Sequence, residues 1–85
     1  VLKATEMDDV VVAALRLRPG QAPLRSIVDA AEDVAKHAET PIAWFLARPR
    51  EQRRGLVRSA MHRLERSQRV VIDRTVWPWT YGGVW

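Results

Sequence analysis

The sequence predicts a mainly α-helical domain that closes with a small β-hairpin: three to four helices and then two or three short strands. Three observations predict it. Apolar residues recur at helical spacing through most of residues 6–67. RVVIDRTVW (69–77) is a β-branched run with strand character. The following PWTYGG supplies Pro and a Gly pair, the punctuation of a turn. At 85 residues the chain has room for one domain (1–85), because so short a chain buries only about 60 to 65% of its unfolded surface.

The first helix is expected over residues 6–17. Thr5 can cap it, and Glu6, Asp8 and Asp9 place negative charge in its first turn, where it suits the helix dipole. Met7, Val10, Val11, Ala14 and Leu15 make its apolar side, and Pro19 and Gly20 end it. The bridge QAPL can add a small strand before a second helix over 24–38. That helix carries Leu24, Ile27, Ala31, Val34 and Ala35 on one side and Asp29, Glu32, Asp33 and Lys36 on the other.

A third, short and very apolar helix is expected over 41–48. Thr40 is its cap, Pro41 its first residue and Pro49 its stop, with Ile42, Trp44, Phe45 and Leu46 as the heart of the core. The fourth, over 51–67, is the most polar. At 100° per residue Val57, Ala60, Met61 and Leu64 share one arc, while Gly55, Arg58, Ser59, His62 and Arg66 fall opposite. The hairpin spans 69–85. Val76 and Trp77 complete its first strand, PWTYGG is its tip, and VW opens the return. Alternation then sends Val70, Ile72, Val76 and Trp85 inward and Trp77 outward. Trp79 and Tyr81 are left on the turn, as an aromatic cap over the hairpin or as a contact with a partner.

Charge divides the chain. Residues 1–40 carry five basic side chains against seven acidic, a balance of −2; residues 41–85 carry nine arginines against Glu51, Glu65 and Asp73, a balance of +6. A basic surface on a small domain is the usual footprint of a nucleic-acid binder, and Arg can grip phosphate or a guanine edge with two parallel hydrogen bonds. The bland reading is an arginine-rich composition whose side chains are simply solvated. Glu51 and Glu65 are too few to pair the arginines around them at i, i+4 spacing, which favours an external anionic partner.

The stretch LARPREQRRGLVRSAMHRLERSQRVV resembles the helix-turn-helix of winged-helix transcription regulators. In that family an Ala, usually after Leu, closes the second core helix, and a Val or Ile follows ten residues on. An apolar residue stands four further, Leu-Glu at seven and eight, and a Val opens the wing strand. Leu46, Ala47, Val57, Met61, Leu64, Glu65 and Val70 stand at those intervals. Gln68 replaces the family's usual Gly at the helix end, so the easy left-handed cap is missing. Two helices precede the motif instead of one, which leaves residues 24–38 as an insertion or an added packing helix.

The resemblance implies sequence-specific binding of double-stranded DNA, with helix 51–67 in the major groove and the wing on the flanking backbone. Arg58, Ser59, His62 and Gly55 become the base-reading candidates, Gly55 by letting the backbone approach DNA. Arg50, Arg53, Arg54, Arg66, Arg69 and Arg74 become phosphate candidates. Trp79 and Tyr81 are the wing or partner contacts. It further implies a transcriptional regulator of a phage, plasmid or other mobile element, cytoplasmic and nucleoid-associated, and a homodimer, since two-fold symmetry doubles a modest specificity. The alternative is a winged-helix protein-interaction module that assembles a larger complex.

Other functions find little support. His37 and His62 have no metal-ligand spacing, the glycines form no phosphate loop, and Ser26, Ser59 and Ser67 sit in no nucleophile motif. No enzyme, metal, cofactor or small-molecule ligand is expected. The chain has no cysteine, which suits a reducing compartment, and no apolar run of membrane length. It opens on Val1 rather than Met, from which a tag, leader or longer chain is expected.

Overall fold

The structure, a computed structural model, describes residues 2–38 and 43–84, with side chains described from Met7 onward. In chain order it holds α1 (Leu2–Leu17), β1 (Ala22–Pro23), α2 (Leu24–His37), α3 (Ala43–Leu46), α4 (Arg50–Arg66), β2 (Val70–Asp73) and β3 (Thr80–Gly83). The domain is mainly helical with a small antiparallel sheet in the order β1-β3-β2. Thr40, Pro41, Ile42 and Trp85, for which capping and core roles were expected, lie outside the described residues.

Helix α1 begins ahead of the expected start, so Thr5 lies inside it rather than at its cap. It packs on both α2 and α4, and α2 packs on α4. Met7, Val10, Val11, Ala14 and Leu15 are buried together, as their spacing requires. Small residues at the helix contacts, among them Ala14, Ala30, Ala31 and Ala60, let the backbones come close. Helix α2 also contacts α3 and β1, so residues 24–38 form a central element of the core and not an appended helix.

The expected helix 41–48 is reduced to a single described turn. Ala47 N–H donates to the Ala43 carbonyl at 2.9 Å, Arg48 N–H donates to that of Phe45 at 3.1 Å, and Pro49 then takes the N-cap of α4. The turn still fills the core: Phe45 is fully buried, with the half-buried Trp44 ring edge-on at 6.2 Å. Burying a side chain of this size stabilises a fold by about 1.5 to 3 kcal/mol.

Helix α4 ends in a left-handed cap after all. Gln68 takes φ 62°, its N–H donates to the Glu65 carbonyl at 3.0 Å, and the Arg69 N–H reaches back to the Leu64 carbonyl at 2.8 Å. These are the two bonds of a Schellman motif, formed with Gln where Gly is usual.

The hairpin differs from its expected shape. Strand β2 stops at Asp73, because the Asp73 carboxylate accepts from the Thr75 N–H at 2.9 Å and from its hydroxyl at 2.5 Å. That local turn competes with the ladder and ends it. Residues 74–79 form the loop, and Thr80–Gly83 is the return strand rather than part of the tip. Val70 and Ile72 point inward as expected, but Val76 is 47% exposed.

Tyr81 is not on a turn. It sits in the middle strand opposite Ile72 and Ala22, 3% exposed, and is part of the core. Gly82 belongs in this strand because a Cβ there would press on the Gln21 side chain and lie 3.2 Å from the Gly20 carbonyl oxygen.

Candidate nucleic-acid interface

The two faces of α4 separate as the periodicity demands. Val57, Ala60, Met61 and Leu64 are buried, while Arg54, Gly55, Arg58, Ser59 and Arg66 are exposed and His62 is half-buried. The helix begins at Pro49 with no side-chain cap, and Glu51 is the acid of its first turn.

Several arginines are paired with acidic side chains of the protein itself, at its surface. The Arg50 guanidinium donates to Asp29 at 2.7 Å and to Glu32 at 3.0 Å, and Arg53 lies 3.7 Å from Glu32. Arg63 donates to Asp8 at 2.8 and 3.1 Å. Arg74 grips both oxygens of Glu65, at 2.7 and 2.9 Å. The expectation that acids were too few counted only those near in sequence. Helices α1 and α2 supply the missing partners through space.

These pairs shift the groups in the direction pairing requires. Hydrogen bonding to Arg74 holds the Glu65 carboxyl below its ordinary range and, reciprocally, raises Arg74. The Asp29 bond raises Arg50, and the Thr75 hydroxyl lowers Asp73. Arg53 is mostly covered, and its Nε is buried without a partner. Of the six expected phosphate contacts, then, Arg50, Arg53 and Arg74 are engaged within the fold. The side chains of Arg54, Arg66 and Arg69 have no hydrogen-bond or acidic partner among the described residues, and neither has that of Arg58.

Two adjoining clefts bring Arg54 and Arg58 of this set together with Arg25. One, of about 360 Å³, is bounded by Arg25, Arg50 and Arg54, with Leu24, Val28 and two prolines. The other, of about 270 Å³, lies between Arg54 and Arg58 on one side and Trp77, Pro78 and Trp79 on the other. Leu24, Arg54 and Pro78 belong to both, so the start of α2, the outer face of α4 and the β2–β3 loop form one continuous surface.

Trp79 lines that surface, half-buried, with the Arg74 Cζ 5.1 Å from its ring centroid and the Trp77 ring edge-on at 6.4 Å. Arg66 and Arg69 stand apart, since the 12 residues from Arg54 to Arg66 span roughly 18 Å of helix. Ser59 and His62 line neither cleft.

Arg25, Trp77 and Pro78 are among the residues of this surface that the sequence does not single out. Arg25 is separated from α4 by a quarter of the chain, and nothing local marks it. Trp77 and Pro78 had been assigned to a strand and a tip, and only the Asp73–Thr75 turn returns them to α4. Among the described residues no group of three metal-ligating side chains occurs and no helix is long and apolar enough to cross a membrane. Compared with family models, with curated proteins and with solved structures, the chain matches none.

Proposed function

We propose that the chain is a winged helix-turn-helix domain that binds double-stranded DNA, with α4 in the major groove. The observation that carries this reading is the outer face of α4, where Arg54 and Arg58 are exposed and, among the described residues, have no acidic partner, near Arg25 of α2, which has none among them either. In a helix-turn-helix the second helix reads base edges while the first crosses the backbone. On that plan α2 and α4 are the pair, α3 lies in the connection between them, and β2–β3 is the wing. Arg58 is placed to grip a guanine edge, with Gly55 and Ser59 beside it. Arg25 and Arg54 are phosphate anchors, which set register without reading sequence. A regulatory role in transcription, in a mobile element or otherwise, and a two-fold dimer follow from the same analogy.

A protein-interaction module is the second reading, favoured by the apolar surface of the hairpin, where Val71, Val76, Trp77 and Val84 are all exposed. Selection of duplexes from a random pool at two salt concentrations separates the two. Sequence enrichment is expected, and Arg58→Ala is expected to relax it at one position and cost about 1 to 3 kcal/mol. Absence of any duplex binding would exclude the DNA reading and leave the interaction module.

A further inference from the structure

We infer that the groove between α4 and the β2–β3 loop is a stacking site for one unpaired nucleobase of a DNA strand, with Trp77 as the platform and Arg54 holding a neighbouring phosphate. The inference rests on the DNA-binding reading and extends it from intact duplex to duplex with an extrahelical base.

Trp77 is 86% exposed, yet it is not a loose side chain on a bare tip. Its ring meets Trp79 edge-on at 6.4 Å, Trp79 lies under the Arg74 guanidinium, and Arg74 is clamped on both oxygens of Glu65. An aromatic face is thus held toward solvent by a chain of contacts that ends on α4. Leaving so large an apolar surface uncovered is unfavourable unless something covers it in the working state.

The opposite wall of the groove identifies the chemistry of the occupant. Among the described residues Arg54 and Arg58 lack acidic partners, and Leu24, Pro78, Trp79 and Tyr81 complete the lining around Trp77. A flat aromatic platform bordered by two unneutralised guanidiniums complements a nucleotide, whose base presents a π-face and whose phosphates present charge. The groove, about 270 Å³, falls just below the roughly 300 to 1,000 Å³ of drug-sized ligand sites, and so has the scale of one nucleotide unit.

The test compares an intact duplex with the same duplex carrying a single-nucleotide bulge, by fluorescence anisotropy, and adds a 2-aminopurine at the bulge to report stacking. Wild-type protein should prefer the bulged duplex by about tenfold, since base–aromatic stacking is commonly of that order, and should quench the 2-aminopurine. Trp77→Ala should bring the ratio close to one and abolish the quenching; Trp77→Phe should keep most of both. Free mononucleotide competing as well as the bulged strand would assign the groove to a soluble nucleotide and overturn the DNA-strand source. Equal binding of the two duplexes by wild-type protein, or a ratio untouched by Trp77→Ala, overturns the stacking site while the duplex-binding reading stands. Failure to bind either duplex removes both.

Discussion

At the scale of single residues, one position within α4 and one just beyond its end show conformation and function pulling in different directions. Gln68 holds the left-handed cap that closes the helix, at φ 62°. An L-residue there costs roughly 1 to 2 kcal/mol, part of which Gly returns to the unfolded chain as entropy. Gln68→Gly is therefore expected to raise stability by about 0.5 to 1 kcal/mol in a denaturant titration, with no change in far-ultraviolet dichroism. Gly55 is the converse case. A Cβ added there meets nothing within 4 Å, so Gly55→Ala should stabilise the helix by about 1 kcal/mol. If the bare backbone exists for DNA to approach, the same substitution should weaken duplex binding while raising the melting temperature. Improved stability with unaltered affinity would remove Gly55 from the interface.

At the scale of elements, the sequence was legible where one period governs and illegible where a through-space partner decides. The inner arc of α4 follows from spacing alone, because Val57, Ala60, Met61 and Leu64 can all be buried only on one side of a 3.6-residue repeat. The hairpin was legible as a hairpin but not in register. A β-branched run says nothing of the Asp73–Thr75 bond that ends the strand, and a Gly pair reads as a turn until Gly20 and Gln21 are found packed on Gly82. The site was half legible for the same reason: Arg54 and Arg58 lie on the predicted face, whereas the acids that withdraw Arg50, Arg53 and Arg63 come from other helices.

The Glu65–Arg74 clamp is also an element-scale device, since it ties the loop to the end of α4. Arg74 holds the Glu65 carboxyl below the usual glutamate value of about 4.3. A group with a depressed native pKa contributes stability that is fully present above its unfolded value and lost as pH falls through the native one. Wild-type protein should therefore melt above Glu65→Gln at neutral pH, with the gap closing as pH falls below the carboxylate range. A gap that persists in acid would show that the clamp acts through shape rather than charge.

At the scale of the whole molecule, the acidic first half neutralises part of the basic second half. Asp8, Asp29, Glu32 and Glu65 between them hold Arg50, Arg53, Arg63 and Arg74, and the unpaired remainder is what a polyanion would meet. Among the described residues Arg25, Arg54 and Arg58 gather on the shared surface, with Arg66 and Arg69 further along. Each phosphate neutralised on B-DNA contributes about −0.9 to the slope of log K against log salt. Three to five contacts therefore correspond to a slope of roughly −3 to −4.5, and engagement of all nine arginines of the second half to about −8. Titrating duplex affinity between low and physiological salt distinguishes these values. Arg54→Ala should flatten the slope by about one unit and leave the melting temperature nearly unchanged, as an exposed side chain with no acidic partner among the described residues contributes little to folding. Arg63→Ala should do the reverse, lowering the melting temperature slightly through loss of the Asp8 bridge while the slope holds. A slope near −8, or equal effects of the two substitutions, would mean that DNA opens the ion pairs, and that the paired arginines belong to the interface as well.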